Sequence, residues 1–130
     1  MLKKLKNFRS KTGLLVPISL KKNIPFETKR VFIIHGKKNS IRGEHAHHKC
    51  SQFLIPLGGS ILVNYENKRG KFKKTLSFVK NNSLLLKPKT WCKIKFNTNR
   101  SKLMVFCNRE YEFFDYIEKY NEFLKLIRKK

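Results

Sequence analysis

An all-β jelly-roll with one C-terminal α-helix is the architecture this sequence predicts, on three observations. Short apolar-rich segments recur along most of the chain, and turn residues separate them at regular intervals. Several of these segments alternate with period 2, as half-buried strands do. After about residue 112 the apolar spacing changes to that of a helix. The chain has 130 residues, 40% of them hydrophobic, and its aromatics comprise 11 Phe, 4 Tyr and 1 Trp. That composition suits one domain, 1–130, with a genuine core rather than a disordered chain.

Leu14 to Leu20 is apolar but interrupted by Pro17, so it is predicted as an edge or terminal strand. Arg30 to His35 is a dense apolar strand, Gly36 to Asn39 a basic turn, and Ser40 to His48 a strand rich in histidine. Gln52 to Pro56 opens the next strand, and Leu57-Gly58-Gly59-Ser60 turns the chain into Ile61 to Tyr65. Glu66 to Gly70 is a hairpin loop before Lys71 to Phe78, and Asn81-Asn82 a further turn. Leu84-Leu85-Leu86 leads to Pro88. Trp91 to Phe96 alternates, setting Trp91, Lys93 and Lys95 opposite Cys92, Ile94 and Phe96. Lys102 to Cys107 is the last apolar strand. Phe113, Tyr116, Ile117, Tyr120, Phe123, Leu124 and Ile127 recur at helical spacing, and the basic residues Lys125 to Lys130 suit the negative end of that helix.

No apolar run approaches the ~20 residues of a membrane helix, and the basic stretch Met1 to Ser10 lacks the apolar core of a signal peptide. Cys50, Cys92 and Cys107 are odd in number and without paired spacing, so reduced thiols in a cytoplasmic protein are expected. The formal net charge of +23 is extreme. Its lysines are spread along the whole chain, as a lysine-biased solvated surface would be. The alternative class, a basic nucleic-acid-binding module, has the charge and the interspersed aromatics but no recognition motif. No specific nucleic acid and no membrane are expected as partners. A basic protein does attract a phosphate-bearing substrate.

The most informative stretch is Arg42-Gly43-Glu44-His45-Ala46-His47-His48, with Gln52 shortly after. His45 and His47, two apart on a strand, share one face, and His48 points the other way. Paired imidazoles that titrate near neutrality serve either as metal ligands or as proton-transfer groups. The arrangement resembles a cupin. In the ordinary metal cupin a glutamate and a third histidine complete the ligand set, whereas here those positions are Gln52 and Cys92. An amide and a doubtful thiol hold a divalent ion poorly, so acid–base chemistry with no metal and no cofactor is favoured over a metal-dependent cupin using His45, His47 and Gln52.

The resemblance narrows through Ile24-Pro25-Phe26, Lys29-Arg30-Val31-Phe32, Arg42 to His47, Gln52, Pro88 to Trp91, Asp115-Tyr116-Ile117 and Tyr120 to Leu124. In this order, over nearly the whole chain, they are similar to the dTDP-sugar 3,4-ketoisomerases. Some of those enzymes carry an acetyltransferase domain, of which no segment is read here. The resemblance implies a dTDP-linked 4-keto-6-deoxy sugar as substrate and transfer of its carbonyl from carbon 4 to carbon 3. The product would supply an aminotransferase making 3-amino-3,6-dideoxy sugars for surface polysaccharides such as lipopolysaccharide O-antigen. It also implies a homodimer that exchanges an N-terminal strand, for which the apolar stretch Gly13 to Leu20 is the local candidate. His45 and His47 match the catalytic histidines, and Arg42 matches the arginine of the same motif.

The hydrogen on carbon 3 is acidic beside the carbon-4 ketone, and neutral imidazole can remove it and return a proton at cellular pH. Arg42 is a candidate for oxyanion or diphosphate binding, and Arg30 for a phosphate contact. Gln52 is either a substrate contact or a bridge between strands. Trp91 is core or pocket wall, with stacking on thymine as its functional alternative. His35 is a buried histidine or a pocket residue; with Ile33, it stands in a strand where relatives often have tyrosines.

Overall fold

The computed structural model describes residues 2–128. Its strands are β1 (Leu2–Lys4), β2 (Phe8–Ser10), β3 (Gly13–Leu15), β4 (Arg30–Gly36), β5 (Ile41–His47), β6 (Gln52–Gly58), β7 (Ser60–Asn67), β8 (Gly70–Ser77), β9 (Asn82–Leu86), β10 (Trp91–Phe96), β11 (Ser101–Cys107) and β12 (Tyr116–Ile117). One helical turn, α1 (Leu20–Asn23), precedes β4, and α2 (Tyr120–Arg128) follows β12. Two five-stranded sheets carry the fold, in the orders β1-β9-β6-β11-β4 and β12-β5-β10-β7-β8, with β2-β3 as a separate hairpin. The predicted jelly-roll is therefore two sheets with free edges, not a hydrogen-bonded closed barrel.

The inward residues of both sheets make the core: Leu54, Leu84, Leu103 and Val105 from one, Ile61, Val63, Leu76, Ile94 and Phe96 from the other. Burying such side chains contributes roughly 1.5–3 kcal/mol each before conformational entropy is offset. The outer face of the first sheet is apolar too. Phe53, Ile55 and Phe106 lie there under Leu5 and Ile24, with Val16, Ile18 and Phe26 packed against them.

Several predicted boundaries move. Leu14 to Leu20 is not one strand: it pairs only as far as Leu15, because Pro17 has no N–H for a ladder, and Val16 and Ile18 instead pack onto the outer sheet face. The strand from Gln52 runs on to Gly58, leaving Gly59 (φ +70°) as the turn. Asn67 pairs with Gly70, so the β7–β8 loop is tighter than predicted. The largest change is at the C-terminus, where α2 begins only at Tyr120. Phe113–Asp115 is a 3-10 turn, and Tyr116 and Ile117 pair with His47 and Ala46 of β5. Their helical spacing is coincidental: Phe113 and Phe114 are 62% and 90% exposed, and the backbone of β12 instead satisfies the edge of β5. Within α2, Phe123 is buried, and Leu124, Leu126 and Ile127 pack with it against Ala46 and Ile117. Lys129 and Lys130 fall outside the described residues.

Candidate active site

Alternation alone would set Arg42, three residues before His45, on the opposite face of β5. A bulge corrects the parity. Cys92 pairs with His45 and Lys93 with Gly43, so Glu44 is an extra residue in β5. Gly43 (φ +88°) and Glu44 (φ +58°) both adopt left-handed backbone there. Beyond the bulge Arg42 pairs with Ile94, and since Cys92 and Ile94 both belong to the core, Arg42 and His45 both turn inward. A Cβ on Gly43 would lie 3.0 Å from the Cys92 carbonyl oxygen. Gly43→Ala is accordingly expected to cost about 1–3 kcal/mol, read as a Tm loss of about 4 °C per kcal/mol, with a larger fractional loss of activity than of folded protein. An unchanged Tm would mean that the bulge is not strained by a side chain.

The inward side chains border a cavity of about 440 Å³ between the sheets, with His45, Arg42, Gln52 and Tyr116 as its polar lining and Phe32, Ile34, Leu54 and Val105 among its apolar walls. His47 lies deeper. With His45, Cys50 and Gln52 it borders a second, far smaller cavity of about 10 Å³.

His47 is the centre of the polar constellation. Its Nδ1 donates to Asp115 Oδ2 at 3.0 Å. Asp115 also accepts the backbone N–H of Lys49 on Oδ1 at 2.8 Å and that of Cys50 on Oδ2 at 3.1 Å. Burial alone would raise the Asp115 carboxyl, but those backbone donors and His47 outweigh it and hold it below the usual carboxylate value. Burial pushes His47 down to about 4, helped by the neighbouring His45 and only partly opposed by Asp115. His45 is also lowered by burial, against a hydrogen bond with the Gly43 backbone and the charge of Glu118. Both imidazoles are therefore neutral at neutral pH. With its proton on Nδ1, His47 keeps an unprotonated Nε2, which is buried and has no hydrogen-bond partner. The two imidazole rings stand edge-on at 5.1 Å, and the Tyr116 ring lies 4.3 Å from His47 and 5.1 Å from His45.

A row of paired residues, Arg30, Cys107 and Gln52, crosses the first sheet. Arg30 Nη2 and Gln52 Nε2 approach Cys107 Sγ at 3.5 and 3.8 Å. The neighbouring Cys50, then Arg30 and Gln52, favour the Cys107 thiolate against burial and hold its thiol below the ordinary value, while Cys107 and burial raise Cys50. Arg30 is raised despite burial, by Cys107 and Tyr116, and its guanidinium lies over the Phe32 and Tyr111 rings. Cys92, pushed up to about 12 by burial, keeps its proton.

Two predicted site residues lie elsewhere. His35 shares the exposed, outer-facing positions of β4 with Val31 and Ile33, because the inner positions of that strand go to Phe32 and Ile34. Trp91 does not line the main cavity; its ring packs 5.3 Å from Tyr120 and 5.7 Å from Phe123 under α2. His48 is exposed, just beyond the end of β5, and borders neither cavity. Neither Asp115 nor Tyr116 carries a site role in the local sequence pattern: helical spacing absorbs Tyr116, and no spacing joins Asp115 to a histidine. A compositional signal for one of them exists: Asp115 is the only aspartate of the chain.

A curated protein of Aneurinibacillus thermoaerophilus, TDP-4-oxo-6-deoxy-alpha-D-glucose-3,4-oxoisomerase, is 36% identical over 118 residues, covering 90% of this chain and 84% of its own length. The crystal structure of QdtA, a sugar 3,4-ketoisomerase from Thermoanaerobacterium thermosaccharolyticum in complex with TDP, superposes with a TM-score of 0.90 at 31% identity, over 98% of this chain and 93% of that one. A histidine-to-asparagine variant of the same enzyme, in complex with TDP-4-keto-6-deoxyglucose, gives the same TM-score at 30% identity and the same coverage. The family model described as FdtA, WxcM-like, C-terminal matches residues 1–128, and the chain belongs to that family.

Proposed function

We propose that this chain is a TDP-4-keto-6-deoxyglucose 3,4-ketoisomerase of one domain, acting through His45 and His47. The observation that carries the reading is the His47–Asp115 pair beside His45, in a chain whose family relatives isomerise 4-keto sugar nucleotides. A neutral imidazole with Nε2 free removes the carbon-3 proton, and the electron pair moves through carbon 3 to the carbon-4 oxygen as an enediolate. Protonation at carbon 4 and transfer of the hydroxyl proton from the oxygen on carbon 3 to the oxygen on carbon 4 complete the shift. Asp115 favours His47 as the carbon base, because the carboxylate stabilises the imidazolium that forms. His45, on the wall of the larger cavity, serves the oxygen transfers. Arg42 meets the diphosphate or the developing oxyanion, and Arg30 keeps Gln52 in place through Cys107. The experiment is incubation with TDP-4-keto-6-deoxyglucose and NMR of the product; unchanged substrate at high enzyme concentration overturns the reading. The product suits an aminotransferase that makes 3-amino sugars for surface polysaccharide.

The protonation states predict a pH profile. A base works only when neutral, so the acid limb of kcat/KM reports the pKa of the free enzyme. With His47 pushed from 6.5 down to about 4, activity persists well below pH 6.5 and falls as pH drops toward 4. An acid limb near 6.5 would contradict a buried His47 base.

The dimer reading is supported by exposed apolar surface. Val31 and Ile33 are 46% and 48% exposed beside the covered outer sheet face, and Phe8 and Leu15 on the β2–β3 hairpin are 58% and 62% exposed. Within the single chain β1 pairs with β9 and β3 with β2, and Val16 and Ile18 cover their own sheet face; in the proposed dimer the stretch Gly13 to Leu20 makes the equivalent contacts on the partner instead. Light scattering at micromolar concentration should give a dimer, and a monomer there sinks the proposal. No helix among the described residues is long and apolar enough to cross a membrane, and three free cysteines support a cytoplasmic location.

A further inference from the structure

We propose that His47, Cys50 and Asp115 form a binding site for a thiophilic divalent cation, zinc being the best match, and that its occupation takes His47 out of service. All three residues are buried, and one nitrogen, one sulfur and one oxygen donor atom from them lie within 4.8 Å of one another. His47 Nδ1 and Asp115 Oδ2 are already 3.0 Å apart, a separation that two zinc bonds of ~2.0–2.2 Å span with little movement. A mixed N, S and O donor set fits zinc, whereas magnesium and calcium require oxygen ligands. The adjoining cavity of about 10 Å³, bordered by His47 and Cys50, has room for about one water as a fourth ligand. This set shares only His47 with the His45–His47–Gln52 set of the metal-cupin alternative.

Cys50 gives up its thiol proton to solvent and binds as thiolate, since a coordinating thiol is deprotonated outright. On His47 the ion takes the place of the proton on Nδ1, and that proton moves to Nε2. Asp115 exchanges a hydrogen bond for a metal bond. One proton is released per ion, and Nε2 changes from an acceptor into an N–H donor. The consequence for turnover rests on His47 being the base proposed above; the binding does not.

The test uses the full chain, stripped with a chelator and titrated with zinc chloride or cobalt chloride. Calorimetry in two buffers should give one ion per chain and one proton released. The cobalt form should show thiolate-to-metal absorption, and X-ray absorption of the zinc form one sulfur ligand with nitrogen and oxygen. Cys50→Ser should weaken zinc binding by at least ~10–100-fold and remove the cobalt band. Zinc inhibition, measured against each variant's own metal-free rate, should shift by the same factor. His48→Asn, on the exposed histidine, should bind zinc as the wild type does. Absence of saturable binding, two sulfurs or none in the wild-type spectrum, or full affinity in Cys50→Ser overturns the site. The wild-type spectrum decides even if Cys50→Ser fails to fold. Binding as described with turnover untouched keeps the site and removes His47 from the role of base.

Discussion

Asp115→Asn is expected to lower kcat by roughly 100- to 10,000-fold while TDP-sugar affinity stays within a few-fold, the loss typical when a carboxylate that fixes a catalytic tautomer becomes an amide. The carboxylate accepts Lys49 N–H on one oxygen, and Cys50 N–H and His47 Nδ1 on the other. An amide has one oxygen. If that oxygen keeps the Lys49 contact, the NH2 group faces Cys50 N–H and His47. His47 must then accept through Nδ1 and carry its proton on Nε2, where a base needs a lone pair. The displaced Cys50 N–H also loses its partner, at a cost of ~1–3 kcal/mol. Kinetics with nitrogen NMR of His47 separates the two effects: the tautomer should reverse in protein that remains folded. Near-normal turnover with a reversed tautomer would show that Nε2 of His47 is not the base.

The second large effect lies in the histidines themselves. His45→Asn and His47→Asn should each reduce turnover by about 100-fold or more with nucleotide binding nearly intact. Arg42→Lys should fall between these and wild type, since lysine keeps the charge but loses the planar fork. Deuterium from solvent apportions the work. A variant that exchanges the carbon-3 hydrogen without forming product has kept abstraction and lost reprotonation at carbon 4. Near-normal rates in both asparagine variants would send the search to Tyr116, whose ring lies 4.3 Å from His47; His35 is on the wrong face.

Much of this was legible because it follows from local pattern. The strand Trp91 to Phe96 has the bounds and the facing that alternation assigns, and His45 and His47 meet on one face because two residues is the strand repeat. What escaped was long-range. Tyr116 and Ile117 sit at helical spacing from Tyr120 and Phe123, and only the open edge of β5 makes them a strand. Asp115 could not be joined to a histidine 68 residues away before that pairing was known. Trp91 packs under α2, in keeping with the core alternative, whereas His35 is neither buried nor in the cavity, because Phe32 and Ile34 take the inward positions of its strand. The Arg30–Cys107–Gln52 row spans three strands, and no spacing along the chain encodes it.

Glu44 carries a different kind of information. Its own carboxylate points into no role; its presence as one residue more in β5 than in the paired stretch of β10 is what counts. Remove it and every side chain before it in the strand changes sides relative to those after it. Arg42 would leave the cavity while His45 and His47 stayed, in a protein whose composition and apolar core had scarcely changed. The site thus depends on a count as well as on residue types. A designer grafting these histidines onto another jelly-roll must transplant the miscount along with them, and a homologue that keeps all three letters but loses the extra residue should be expected to fold and to fail.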